Sequence, residues 1–411
     1  MRILEIATYY SSYLQQFYAQ RTTLPLKSFA EQYAVLMADF FGSPPLRSAA
    51  LKKLGYDAKI VVANNESMQK CWAKENNLAY DETSWPLQIT AAQVKDFRPD
   101  VLFVGDYTTF VAPFLRQLKR ECPSIRLTLG WCGAPYKDPS VFHEYDIVLS
   151  NVLELVQHFR ENGHRCEHLD HAFDPRILDH IDQNASQDID FAFIGSVIKG
   201  SRHHDEREQL ILELIQKTNL QIWAETCQPS SRDQIGIGVR KLAYDVVQVA
   251  KKMHVPQALL TTMPIARKVA SWDKRPALPE CVDKRIAKHA HLPIFGLEMF
   301  QKLHDSKIAL NTHIGISPTN ASNMRLFEAT GVGSCLLTDW RANLPNFFEP
   351  DKEVVAYNSV DECIEKVSWL LDHPNKRQAI AKAGQTRTLR DHTYDRWAKG
   401  LDSIIKNTSN L

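Results

Sequence analysis

Residues 320–339 read "NASNMRLFEATGVGSCLLTD". Within them Asn323, Arg325 and Glu328 lie on a short amphipathic period that also carries Leu326 and Phe327. A helix that only packs has little use for this polar set, whereas a helix whose first turn meets a charged ligand does. The pattern predicts a helix that begins near Ser322, because a serine oxygen is a good acceptor for free N–H groups at a helix start. The remaining free N–H groups and the positive dipole end would suit a diphosphate. Glu328, further along the same helix, could accept two hydrogen bonds from a vicinal diol such as a ribose. Arg325 could meet phosphate, or pair with Glu328 three residues on. Gly331 and Gly333 end the helix, a role that accounts for them on its own.

These residues need a scaffold, and the chain supplies a repeated one. Apolar strand-like runs alternate with helical periods: "RILEIAT" (2–8), "DAKIVVAN" (57–64), "PDVLFVGD" (99–106), "RLTLGWCG" (126–133) and "YDIVLSN" (145–151) in the first half. "IDFAFIGS" (189–196), "LQIWAE" (220–225), "KIALNTH" (307–313), "SCLLTDW" (334–340) and "EVVAYNS" (353–359) follow in the second. Strands that alternate with helices imply parallel sheets with crossover connections. Val360, Cys363, Ile364, Val367, Leu370 and Leu371 form one apolar helical face. The polar stretch 170–190 reads as an interdomain connection. The expectation is an α/β chain of two doubly wound domains, at 1–172 and 173–390, with a helix at 391–411.

In open α/β sheets ligands bind beyond the carboxyl ends of the strands. "FIGS" ends in Gly195 and Ser196 and runs on to Lys199, Gly200 and Arg202, a small-residue loop with two cations that suits phosphate oxygens. "KIALNTH" ends in Asn311, Thr312 and His313; His313 reads equally as a ligand contact or a satisfied structural residue. The histidines of "GHRCEHLDH" (163–171) fall on a strand pattern, where neighbours face opposite ways, so a metal site is not expected there. "DID" (188–190) precedes a strand and reads as solvated entry, and "HHDER" (203–207) as a solvated helix start.

Bulk properties narrow the class. At 411 residues the chain exceeds one ordinary core, and 44% hydrophobic with 24% charged residues is normal for a globular protein. A net charge of +1 gives no general attraction to nucleic acid. No run of about 18 apolar residues is present, and the opening reads as a first strand rather than a leader. The eight cysteines are scattered without a C-x-x-C pair, which suggests reduced thiols and a cytoplasmic location. One stretch, 236–293, breaks the rhythm as an irregular insertion with a helix followed by a Pro-dotted segment. Across 240–288 there are eleven Lys or Arg against four Asp or Glu. That excess reads as a solvated surface or as a peripheral contact with an anionic membrane at the inner face. It lacks the aromatic interleaving of a nucleic-acid site.

"NMRLFEATGVGSCLLTD", "NFFEPDKEVVAYNSVDECIEKVSWLL" and "RQAIAKAGQTRTLRDHTYDRW" together resemble the C-terminal domain of GT-B glycosyltransferases. The resemblance is to the group 1 glycosyl-transferase domain of spore-maturation-like bacterial enzymes, over about residues 296–401. "HAFDPRIL" and "DIDFAFIGS" resemble the linker and the first strand of that domain. The N-terminal half matches only in its α/β rhythm. The resemblance implies two Rossmann-like domains facing a central cleft, with a nucleotide-sugar donor on the second. It places Glu328 on the ribose, Asn323, Met324 and Arg325 near the diphosphate, and Lys199 or Arg202 as phosphate cations. Many retaining members carry a second Glu eight positions before the first. Here that position is Asn320, which leaves the stereochemical outcome open.

The implied reaction is sugar transfer to a glycan or other glycoconjugate of the cell surface. A helix N-terminus and cations would stabilise the leaving nucleoside diphosphate without a metal ion or a cofactor. An inverting enzyme would need a base from the first domain, and Asp106 and His143 are the candidates. Thr8, Tyr9 and Tyr10 would line the acceptor side, and the last helix would cross back to the first domain with Trp397 as an anchor. The competing readings are a nucleotide-sugar epimerase or hydrolase of the same fold, and a catalytically silent nucleotide- or glycan-binding protein.

Overall fold

The computed structural model describes residues 1–197, 205–226, 231–253, 275–276, 282–313, 315 and 317–408. The first half builds β1 (Arg2–Ala7), β2 (Asp57–Val62), β3 (Val101–Val104), β4 (Leu127–Trp131), β5 (Ile147–Ser150) and β6 (Cys166–His168). The second builds β7 (Ile189–Ser196), β8 (Leu220–Glu225), β9 (Ala290–His291), β10 (Ser306–Asn311), β11 (Cys335–Asp339) and β12 (Val355–Tyr357). They form two six-stranded sheets, in the orders β2-β1-β3-β4-β5-β6 and β12-β11-β10-β7-β8-β9. Every pairing between neighbouring strands is parallel.

Parallel strands covered on both faces need apolar residues on both, and "RILEIA" supplies them. Leu4 and Ile6 pack with Leu102, Val104, Phe110, Leu115 and Leu118 on one side. Ile3 packs on the other with Phe103, Leu129, Leu46 and Ala50. Leu46 and Ala50 belong to the Pro44–Lys53 helix. The same cluster takes in Trp397, Leu401 and Ile405 from the Tyr394–Thr408 helix, so the end of the chain covers the first sheet. Lys53 Nζ meets Asp395 at 2.9 Å, and Tyr56 Oη donates to Asp402 at 2.8 Å along this seam. The cluster continues into the second half through Phe173, Ile194 and Phe327, so one core spans both sheets.

The Arg325–Gly331 helix is backed by the Pro374–Asp391 helix. Thr330 and Thr388 hydroxyls lie 2.6 Å apart, and Gln385 Nε2 donates to the Gly331 carbonyl at 3.2 Å. Gly384 lets the Pro374–Asp391 helix also lie against the backbone just before β12, since a Cβ there would sit 2.3 Å from the Glu353 carbonyl oxygen. The two strand orders reverse direction between β1 and β3 and between β7 and β10. These are the switch points where a crevice opens in such sheets.

The irregular insertion expected at 236–293 is corrected at both ends. It opens inside the 22-residue Ser231–Lys252 helix. It closes with the Lys284–His289 helix and β9, which pairs with β8 and completes the second sheet. β9 is two residues long and carries no apolar run, so nothing in the sequence pattern marked it. No described helix is long and apolar enough to cross a membrane.

Candidate active site

The two switch points face each other across a cleft of about 680 Å³, the size of a small-ligand site. The ends of β1 and β3 contribute Ala7, Thr8, Tyr9, Tyr10 and Gly105, while Gly195 and Ser196 come from β7. Leu310, Asn311 and Thr312 come from β10 and the residue after it, and Asn323, Met324, Arg325 and Glu328 from the segment that follows.

On the second-domain wall each polar group is fastened. Arg325 Nη1 pairs with Glu328 Oε2 at 2.9 Å, and its Nη2 donates to the Ile194 carbonyl at 3.0 Å. Both side chains are largely buried, so the pair is held in one geometry. Asn323 Nδ2 donates to Asn311 Oδ1 at 2.9 Å and to the Thr312 carbonyl at 3.0 Å, which joins the helix entry to the end of β10.

Arg207 adds a cation to this wall. It stands in the Asp205–Lys217 helix and lines the cleft. Its Nη1 donates to the Ser196 carbonyl at 3.0 Å and its Nη2 to the Thr312 carbonyl at 2.6 Å. Its Nε is buried without a partner among the described residues. Burial lowers its pKa to about 10, so it stays protonated at neutral pH. It thus clamps the ends of β7 and β10 with a charge that no described carboxylate neutralises at ion-pair distance.

The first-domain wall is aromatic above and charged below. Tyr9 and Phe41 rings meet edge to face at 5.1 Å, and Tyr10 and Phe41 at 5.9 Å. Tyr10 is 63% exposed, yet its hydroxyl sits far enough between the lobes that burial, then Glu328 and Glu225, raise its pKa. The Tyr9 hydroxyl is buried without a partner among the described residues. Beneath them Arg47 Nη2 meets Glu5 Oε1 at 2.5 Å, and its guanidinium lies 5.5 Å from the Trp131 ring centre. Burial pushes the Glu5 carboxyl up against the opposing pull of Arg47. The His171 imidazole is held near 3 by burial and by Arg47, so it is neutral in the cleft.

A family model described as glycosyl transferase-like matches residues 248–403. Over these residues the chain is similar to a glycosyl transferase-like domain. The matched residues include Asn323, Met324, Arg325 and Glu328, the whole helix-side part of the second-domain wall. The fold is GT-B, and solved structures share it along the full chain. HepE from Anabaena in complex with UDP-glucose superposes with a TM-score of 0.54 at 10% identity, over 99% of this chain and 100% of that one. Sucrose-phosphate synthase from Thermosynechococcus elongatus gives 0.52 at 8% identity, over 99% and 98%. A glycosyltransferase from Rickettsia africae gives 0.51 at 9% identity, again over 99% and 98%. At such identities the likeness concerns the fold. No curated protein matches the sequence.

Several residues stand elsewhere than the sequence pattern suggests. The helix begins at Arg325, with Met324 in the N-cap position and no side-chain cap. Ser322 is not the cap: it lies two residues ahead of it, and its carbonyl accepts from Asn151 Nδ2 of the first half at 2.8 Å. The helix start is also less open than expected: Leu326 N–H donates to the Asn323 carbonyl, and Phe327 and Glu328 N–H to that of Met324. His313 is buried outside the cleft lining, its Nδ1 2.7 Å from Asp339 Oδ1. Asn320 turns to Glu154 of the first half, with Nδ2 3.1 Å from Oε1, and does not line the cleft.

Asp106 also serves a local purpose. It accepts from Thr8 Oγ1 at 3.0 Å, from Thr108 N and Oγ1 at 2.8 and 2.6 Å, and from Thr109 N at 3.1 Å. Burial alone would raise its pKa, but the hydrogen bonds from Thr108 and Thr109 win and lower it. A carboxylate so occupied is a weak base, and it lies behind Gly105 rather than on the cleft lining. His143 is exposed and its ring sits 4.7 Å from that of His164, away from the cleft. Lys199 and Arg202 lie outside the described residues. Glu5, Arg47 and Trp131 escaped the sequence reading as site residues, while His171, read only as part of a strand pattern, and Arg207, read as part of a solvated helix start, both line the cleft instead. For Arg207 a signal existed: it opens the helix that follows the glycine loop after β7.

Proposed function

We propose that the protein transfers a sugar from a nucleotide-activated donor to a glycan or other glycoconjugate acceptor. The observation that carries this reading is the Arg325–Glu328 pair on the cleft wall, opposite the aromatic wall of the first domain. In this reading Glu328 receives the ribose hydroxyls. Gly195, Ser196, Asn323 and Met324 surround the diphosphate, and Arg207 takes the charge that develops as the nucleoside diphosphate leaves. Lys199 and Arg202 are proposed as further phosphate cations. Fixed cations would make a metal ion unnecessary for that step. Tyr9 and Tyr10 offer ring faces and Thr8 a hydroxyl to the acceptor, and Trp131 extends that surface. The HepE complex with UDP-glucose supports a nucleotide sugar as donor.

The test is a panel of UDP-, GDP-, dTDP- and CMP-linked sugars, read first by thermal shift, since a ligand of the native state raises its melting point. Release of the nucleotide is then measured with and without glycan acceptors. Release that requires an acceptor is expected. Equal release without one indicates a hydrolase or epimerase, and binding without release a silent nucleotide-binding protein.

We also place a peripheral contact with an anionic membrane, on the cytoplasmic side, at the Ser231–Lys252 helix. Val239, Leu242, Val246, Val249 and Met253 are each more than half exposed along one side of it. Arg240 and Lys241 flank that side, and the surrounding sequence carries the basic excess noted above. The six described cysteines are free thiols, which accords with a reducing compartment. Cosedimentation with vesicles rich in phosphatidylglycerol is expected, with little on phosphatidylcholine vesicles. Equal recovery on both would rule the contact out.

A further inference from the structure

The segment leading into the donor wall is held from two sides. Its second-domain ties are local: Ala342 N–H donates to the Thr319 carbonyl at 2.9 Å, and Asn343 Nδ2 to the Ala321 carbonyl at 3.1 Å. Its other ties cross between the lobes and converge on one carboxylate. Glu154 is the second residue of the Leu153–Glu161 helix in the first half. Its Oε1 accepts from Thr319 Oγ1 at 2.7 Å and from Asn320 Nδ2 at 3.1 Å, with Thr319 N–H at 3.4 Å. Its Oε2 lies 3.1 Å from Ser317 Oγ, and Ser317 is buried. Asn151, three residues earlier, holds the Ser322 carbonyl.

This carboxylate is suited to the task. A negative charge in the first turn of a helix is stabilised by the helix dipole. Hydrogen bonds to an ionised acceptor are shorter and stronger than neutral ones. Three residues beyond Asn320 come Asn323, Met324 and Arg325, which line the cleft, and then Glu328. A shift of the 317–322 segment would therefore displace the donor wall itself.

We propose that Glu154 is a positioning residue, which bridges the two lobes and holds the 317–322 segment so that the donor wall is in place when the cleft is closed. It touches no substrate. Its effect passes through Asn323, Arg325 and Glu328, and the kinetic part of the proposal rests on the donor reading given above. The bridge also accounts for Asn320, whose amide is spent on Glu154 and does not face the cleft.

The substitution Glu154→Gln keeps shape but removes the negative charge and one acceptor oxygen, so the charge-assisted hydrogen bonds across the lobes become neutral and fewer. Two measurements on the full chain test it. Small-angle scattering of the unliganded variant is expected to show a larger radius of gyration than the wild type. The KM for the donor sugar is expected to rise about tenfold, about 1.4 kcal/mol, while kcat at saturating donor changes less than about twofold. The double variant Thr319→Val with Asn320→Ala removes the contact from the opposite lobe, and it decides the matter if Glu154→Gln does not fold. An unchanged radius in the folded variants would overturn the bridge, and so would a wild-type donor KM. A larger radius in a protein whose wild type turns over no nucleotide sugar would count against the donor assignment and leave the bridge standing.

Discussion

Replacing Arg207 with methionine is expected to lower kcat for sugar transfer by about 100-fold, the scale found when one preorganised group that stabilises developing charge is removed. Arg207 is the cation that the described structure places at the junction of β7, β10 and the cleft. Its guanidinium already sits against two carbonyls, so it need not reorganise as charge grows on the leaving diphosphate. Methionine preserves the stem's packing but removes the Arg207 bonds to the Ser196 and Thr312 carbonyls, the latter keeping Asn323 Nδ2, so some loss of stability must be separated from loss of chemistry. Arg207→Lys provides the control. It keeps the charge without the fork that reaches both carbonyls, and should fall between the two. The comparison is made on kcat at saturating donor, alongside the melting temperature of each variant. Wild-type kcat in a folded Arg207→Met protein would remove Arg207 from the charge-stabilising role.

Glu328→Ala is expected to weaken binding of the nucleotide sugar by about 30-fold, near 2 kcal/mol, as two hydrogen bonds to an ionised acceptor are lost. The fold should survive, because Arg325 retains the Ile194 carbonyl and the sulfur of Met299, 3.3 Å from its Nη1. Glu328→Gln should lose less, since an amide oxygen still accepts one hydroxyl. Titration calorimetry with the free nucleoside diphosphate and with the corresponding phosphate-only ligand separates the ribose contribution from the rest. Equal affinity of the wild type and Glu328→Ala for the nucleotide would exclude the ribose role.

The parts of this molecule that could be read from the sequence are those set by local chemistry. β1, β3, β7 and β10 announce themselves as β-branched and apolar runs because both faces of a parallel strand are buried. Glu328 and Arg325 could be paired from their spacing alone, and the pair is present. What could not be read depends on partners far away in the chain. Ser322 has the right side chain for a helix cap, but Asn151, 171 positions earlier, takes its carbonyl and the helix starts later. Asp106 has the right place for a base, but its own turn, with Thr8 just after β1, uses up its oxygens. His313 stands at a strand end, yet Asp339 from the neighbouring strand holds it inside. Arg207 was passed over because a charged helix start normally faces water, and only the β10 carbonyl reveals that it turns inward.

The last 15-residue helix, Tyr394–Thr408, bears on how the protein is made. Translation delivers the first sheet early, but one of its faces is covered only in part, by the Pro44–Lys53 helix, until Trp397, Leu401 and Ile405 have left the ribosome. Arg47 likewise waits for the Trp397 ring, 5.5 Å away, to cover its pair with Glu5. The nascent N-terminal half therefore carries sticky surface through most of synthesis, a period in which chaperones would have their main work.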